Sequence, residues 1–249
     1  MITLAFLLAL GAQDEVAAKA ALESFKTSYG KSKDPKSHAE AVLELAKTIH
    51  GSVAIKLSLL LTTDDKEVRI AAATGLGTFN KPADMKQTAA KYLGQALTAG
   101  ANAREVEVRV AIFAALGTLQ EETSCNTVKS HFEERDPKIA CAAVSAAGGI
   151  RSKTLIEPLI QVLKECERDL KPVAPPPAPP PAKGKAPPPV FGPSPAQREP
   201  DKDTKERANA VIGMAVSALN SITRQDGLKT GDDWERWWIK NRSTFTVPK

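Results

Sequence analysis

Val68-Arg69-Ile70-Ala71-Ala72-Ala73-Thr74-Gly75-Leu76-Gly77-Thr78-Phe79 recurs forty residues later as Val108-Arg109-Val110-Ala111-Ile112-Phe113-Ala114-Ala115-Leu116-Gly117-Thr118-Leu119. A third copy, Ile139-Ala140-Cys141-Ala142-Ala143-Val144-Ser145-Ala146-Ala147-Gly148-Gly149-Ile150, follows after 31 residues, and Val211 to Ile222 is a degenerate fourth. Each copy follows another helical stretch: 53–61, 83–97, 124–134 and 155–170. A helix pair repeated at this period predicts an all-α chain, an α-solenoid of about four to five pairs. The Ala, Gly and Ser positions allow close helix approach, and Val68, Leu76 and Phe79 supply larger knobs. Asp65, four residues before Arg69, shares its helix face near the helix start, where a carboxylate is favoured. The Gly after each Leu is expected to end the helix in a left-handed turn.

The block from Asp65 to Ala73, followed by Leu76-Gly77, resembles the second helix of a HEAT repeat, and the copies at Val108 and Ile139 resemble it too. The resemblance implies a structural ladder between adjacent repeats, assigned here to Asp65, Arg69, Arg109 and Asp136. Ala140 replaces the Arg in the third copy, so the ladder is expected to break there.

Residues 13–171 form the repeat region, beginning with a further pair split at Lys31-Ser32-Lys33-Asp34-Pro35, where Pro35 fits only a first turn. Residues 1–12 read as a signal peptide cleaved after Ala12: an apolar run, then small residues, then charge. Residues 172–200 hold 13 of the 18 prolines and predict a disordered or polyproline II insertion, a spacer within the last helix pair. Its PxxP spacing also suits an SH3-like groove. Residues 201–224 supply the last repeat helix, and 225–249 a Trp-rich cap.

All three tryptophans lie in Asp232-Asp233-Trp234-Glu235-Arg236-Trp237-Trp238, which places them on one face of a short helix. With the preceding residues 218–226, this ending resembles the C-terminal segment of secreted bacterial HEAT-repeat proteins. Trp234, Trp237, Trp238 and Arg236 are the candidates for capping the array or for binding a partner.

Composition narrows the function. Aromatic residues are only 5% of the 249, against 38 alanines, which disfavours a β-sandwich. His38, His50 and His131 stand apart, and Cys125, Cys141 and Cys166 match no metal or redox spacing. No phosphate-binding glycine loop is present, and Glu121-Glu122 and Glu133-Glu134 suit helix ends better than acid–base work. Asn241-Arg242-Ser243 fits a glycosylation sequon. No run is long enough for a transmembrane helix.

The expectation is a non-enzymatic, cofactor-free, metal-free monomer, exported to the periplasm or beyond, that binds a protein or peptide. Nucleic-acid binding is the alternative, and a lyase role rests on fold analogy alone. The formal charge of +5 weighs against nucleic acid. Residues 14–169 carry 21 basic and 21 acidic groups, whereas 171–249 carry 13 and 8, so the excess lies outside the repeats.

Overall fold

A computed structural model describes residues 2–63, 65–172 and 199–248, with side chains for all of these except 2–13 and 63. Eleven α-helices occur among the described residues, without a strand. They are α1 (Ile2–Lys31), α2 (Pro35–Leu45), α3 (Gly51–Thr63), α4 (Lys66–Gly77), α5 (Ala83–Thr98), α6 (Val106–Leu119), α7 (Cys125–Lys129), α8 (Pro137–Ile150), α9 (Ile156–Asp169), α10 (Lys202–Thr223) and α11 (Gly231–Asn241). None of the described helices is long and apolar enough to cross a membrane.

Local chemistry sets several of the starts. Asp34 accepts from the Ser37 amide, and Pro35 fills the first turn of α2, where its missing donor costs nothing. Asp136 and Pro137 start α8 in the same way, and Asp201 caps α10 through the Thr204 amide. Helix α1 is continuous from Ile2 to Lys31, and its first buried described residue is Ala18. The proposed cleavage zone at 1–12 lies outside the described side chains.

The helices pack as two rows. In one, α4 lies against α2, α6 against α4, α8 against α6 and α10 against α8. The other runs α3, α5, a 3-10 turn at Glu122–Ser124 with α7, α9 and finally α11. Between the rows lies a continuous apolar core that includes Leu57, Leu76, Phe79, Ile112, Phe113, Leu116, Val144, Leu163 and Leu219. Helices α9 and α10 pack together although residues 173–198, the centre of the proline-rich stretch, fall between them and outside the described residues.

The repeat glycines do something different from what their sequence position suggests. Neither Gly77 nor Gly117 adopts the left-handed conformation, and the left-handed caps are Gln120, Arg151 and Arg224. The glycines lie instead where neighbouring helices touch. An added Cβ at Gly75 would come within 2.6 Å of the Ala46 Cβ, and one at Gly77 within 3.1 Å of the Ala115 Cα. At Gly117 it would meet the Ala146 Cα at 3.1 Å, and at Gly148 the Ala218 Cα at 3.0 Å. At Gly149 it would sit 2.8 Å from the Gly117 carbonyl oxygen. The α4–α6, α6–α8 and α8–α10 junctions are therefore backbone-to-backbone contacts, and at the α2–α4 junction Gly75 makes room for the Ala46 side chain.

A second departure concerns the third pair. Its first helix, expected over 124–134, is reduced to α7, with turns from Ser130 to Asp136. The shorter 31-residue spacing removes the chain that a full helix needs.

Gly149→Ala is expected to lower unfolding stability by about 1–3 kcal/mol through overpacking against α6. Gly213→Ala, in α10 with open space around it, is expected to raise stability by about 0.5–1 kcal/mol. Chemical denaturation of both variants checks the contrast.

Candidate functional site

The arginines of the repeated motif reach forward to the turn before the next helix of the row that runs from α2 to α10. Arg69 donates from Nη1 to the Ala101 carbonyl at 2.7 Å and to Asn102 Oδ1 at 3.0 Å. Glu105, the counterpart of Asp65 one repeat on, lies 3.9 Å from Arg69 Nη2. Arg109, only 8% exposed, pairs with Glu134, two residues before Asp136. Arg207 of α10 then reaches the same turn, donating from Nε to the Glu134 carbonyl at 2.8 Å.

The four ladder candidates are therefore not brought together as partners. Asp65 makes no side-chain capping bond, and Asp136 spends its carboxylate on the amides of Lys138 (2.8 Å) and Ile139 (3.3 Å). Each arginine instead finds polar groups on a turn, where backbone carbonyls and side chains are both accessible.

Asn102 is the residue that motif reading missed. It is fully buried, and its amide nitrogen donates to Leu61 O at 3.0 Å and Ala96 O at 2.9 Å, while its oxygen accepts from Arg69. One side chain thus satisfies the C-terminal carbonyls of α3 and α5 and anchors α4. Lone carbonyls at two helix ends call for a donor, but only the fold shows that residue 102 supplies it.

The tryptophans occupy the other end of the row of first helices, where α11 packs on α9. Trp234 is wholly buried, Trp238 is 8% exposed, and Trp237 lies at the edge between them. Phe245 completes the cluster, with ring centroids 5.6 Å from Trp237 and 5.9 Å from Trp238. Lys164 of α9 bonds Glu235 at 2.7 Å and lies 3.4 Å from Asp232, while the Gly231 amide donates to Glu167. These acids hold the Lys164 ammonium pKa above its ordinary value, Glu235 contributing most. The tail folds back as Arg151 bonds Pro248 O and Lys153 bonds Phe245 O. Arg236 points to solvent and pairs with Asp233 of its own helix.

The other sequence candidates are engaged locally. His38 Nε2 lies 2.7 Å from Ser32 O, His50 bonds Ser52, and His131 bonds Thr127 O. All three cysteines are free thiols, and burial pushes the Cys141 and Cys166 pKa up, against an opposing effect of Arg207. Asn241 donates to Trp237 O at 2.7 Å, so the sequon amide caps α11. Among the described residues no group of three His, Cys, Asp or Glu is placed to hold a metal ion.

Asn102→Ala is expected to cost about 1–3 kcal/mol, since the Leu61 and Ala96 carbonyls and Arg69 each lose one hydrogen bond in a buried site. Thermal unfolding measures it. The Trp cluster should emit in the blue and resist acrylamide quenching at neutral pH. The Asp233 carboxyl is held below its ordinary pKa, chiefly by the Thr230 hydroxyl and then by Arg236. A depressed folded pKa gives stability that is present above the ordinary aspartate value and lost as pH falls through the folded one. Trp emission should therefore shift red on acidification below that ordinary value, and Asp233→Asn should flatten this limb.

Compared with known proteins, the chain matches no protein-family profile and none of the curated proteins.

Proposed function

We propose that this chain is a HEAT-type α-solenoid of five helix pairs, serving as a non-catalytic scaffold for a protein or peptide partner after export. The unbroken row from α2 through α4, α6 and α8 to α10 is the observation that carries this reading. Over the C-terminal halves of α4, α6, α8 and α10 its outward positions are small and uncharged, with Thr74, Ala114, Thr118, Ser145 and Ser217 all exposed, whereas the charged residues Glu67, Glu107, Lys138 and Glu206 lie near the helix starts. A strip of this kind, small and uncharged, admits another chain closely and offers little to a phosphate backbone. Arg69 and Arg109, the conspicuous cations of the motif, are spent within the fold. Export rests on the apolar run ahead of Gly11-Ala12 and the first charge at Asp14.

Affinity capture with the tagged chain from its native source tests the partner, and N-terminal sequencing tests the compartment. A mature chain beginning at Gln13 and a protein partner retained at raised salt are expected. A chain that keeps Met1 overturns export. DNA binding that falls steeply with salt, without a protein partner, overturns the scaffold.

A further inference from the structure

The turn between α8 and α9 holds the returning tail with two cations. Arg151 Nη2 donates to the Pro248 carbonyl at 2.6 Å, and Lys153 Nζ donates to the Phe245 carbonyl at 2.9 Å. Phe245 sets its ring edge-on to Trp237 and Trp238, and Lys153 lies 5.9 Å from the Trp238 ring. From Phe245 to Pro248 the chain belongs to no helix or strand. Captured main-chain carbonyls beside an aromatic anchor are the means by which a folded domain grips a peptide.

The tail does not use the whole grip. Nε and Nη2 of an arginine point the same way, a fork that fits the two oxygens of a carboxylate. At Arg151 one prong holds a carbonyl, and the other, the buried Nε, has no acceptor among the described residues. Trp238, only 8% exposed and packed on Phe245, likewise leaves its Nε1 hydrogen without an acceptor. Neither Arg151 nor Lys153 has a carboxylate partner among the described residues. Buried donors left unmet are costly, so the site is short of acceptors and of negative charge.

A carboxylate in place of the Pro248 carbonyl meets both prongs. A peptide whose last residue aligns with Pro248 carries one there, because its terminal carboxylate keeps the carbonyl oxygen and adds a second. Its aromatic residue then falls three positions before the end, where Phe245 stands.

We propose that Arg151, Lys153, Trp237 and Trp238 form a site for the C-terminus of a partner protein, with an aromatic residue three positions before the terminal carboxylate, and that the chain's own tail occupies this site as a weaker stand-in. The proposal rests on the scaffold reading and narrows it to one site and one ligand chemistry. Phe245 follows closely on Asn241, the last residue of α11, so the tail competes as a tethered ligand at an effective concentration of about millimolar. A free peptide has to displace it.

The test titrates the full chain, by calorimetry and Trp emission, with an N-acetylated peptide of sequence 242–248 made as the free acid and as the C-terminal amide. The acid should bind the wild type, and should bind Phe245→Ala, whose tail has lost its anchor, at least tenfold more tightly. The amide should bind each chain at least tenfold more weakly than the acid. Arg151→Lys, which keeps the charge and loses the fork, should erase the difference between acid and amide with little change in thermal unfolding. The acid-to-amide ratio is read on the wild type as well, so it does not depend on Phe245→Ala folding. No binding of the acid to either chain, equal binding of acid and amide, or a ratio that survives Arg151→Lys overturns the proposal. A native partner captured equally by the wild type and Arg151→Lys also overturns it and leaves the scaffold standing. Acid-selective binding that is lost in Arg151→Lys, with no native protein partner, supports the site and counts against the scaffold alone.

Discussion

Contact between helix backbones at glycine is the constraint on which the rest of this structure depends. At each junction of the row from α2 to α10, a glycine on one helix faces a small residue on the next. Interiors are packed to crystal-like density, so a seam of this kind fixes the spacing of the row and leaves no slack for larger residues. With the spacing set, the large residues on the inner side, Phe79, Phe113 and Leu116 among them, meet the row of α3, α5, α7 and α9 in one continuous core. Turns between the rows then fall close enough together for Arg69, Arg109 and Arg207 to cross from one helix pair to the next.

Much of the helical architecture was legible because composition and period point the same way. Alanine-rich blocks with Val, Leu and Phe at helical spacing are poor strands and good helices. The end of α1 and the start of α2 were legible at Asp34-Pro35 for an equally local reason. Gly77 and Gly117 were misread because Leu-Gly at the end of an apolar block has two physical explanations. A left-handed cap and a close approach both demand glycine, and only neighbouring helices distinguish them.

The arginine partners were illegible for a different reason. Glu134 and Asn102 sit on turns of unequal length, outside the repeated block, so no fixed spacing announces them. The shortened α7 lies between these cases. Its cause, a spacing of 31 residues where another is 40, is plain in the sequence, while the helix expected over 124–134 took no account of it.

The C-terminal region bears on how such an array stops. A row of helices with an uncovered last member presents to a second copy the surface on which its own next helix would sit. Head-to-tail repetition of such a contact closes into a ring or, where the rotation does not close, grows into a fibre. Helix α11 occupies that place on α9, and two carbonyls of the returning tail are already taken by Arg151 and Lys153. Trp234 and its neighbours thus cover the face of α9 on which a further helix, from this chain or another, would pack.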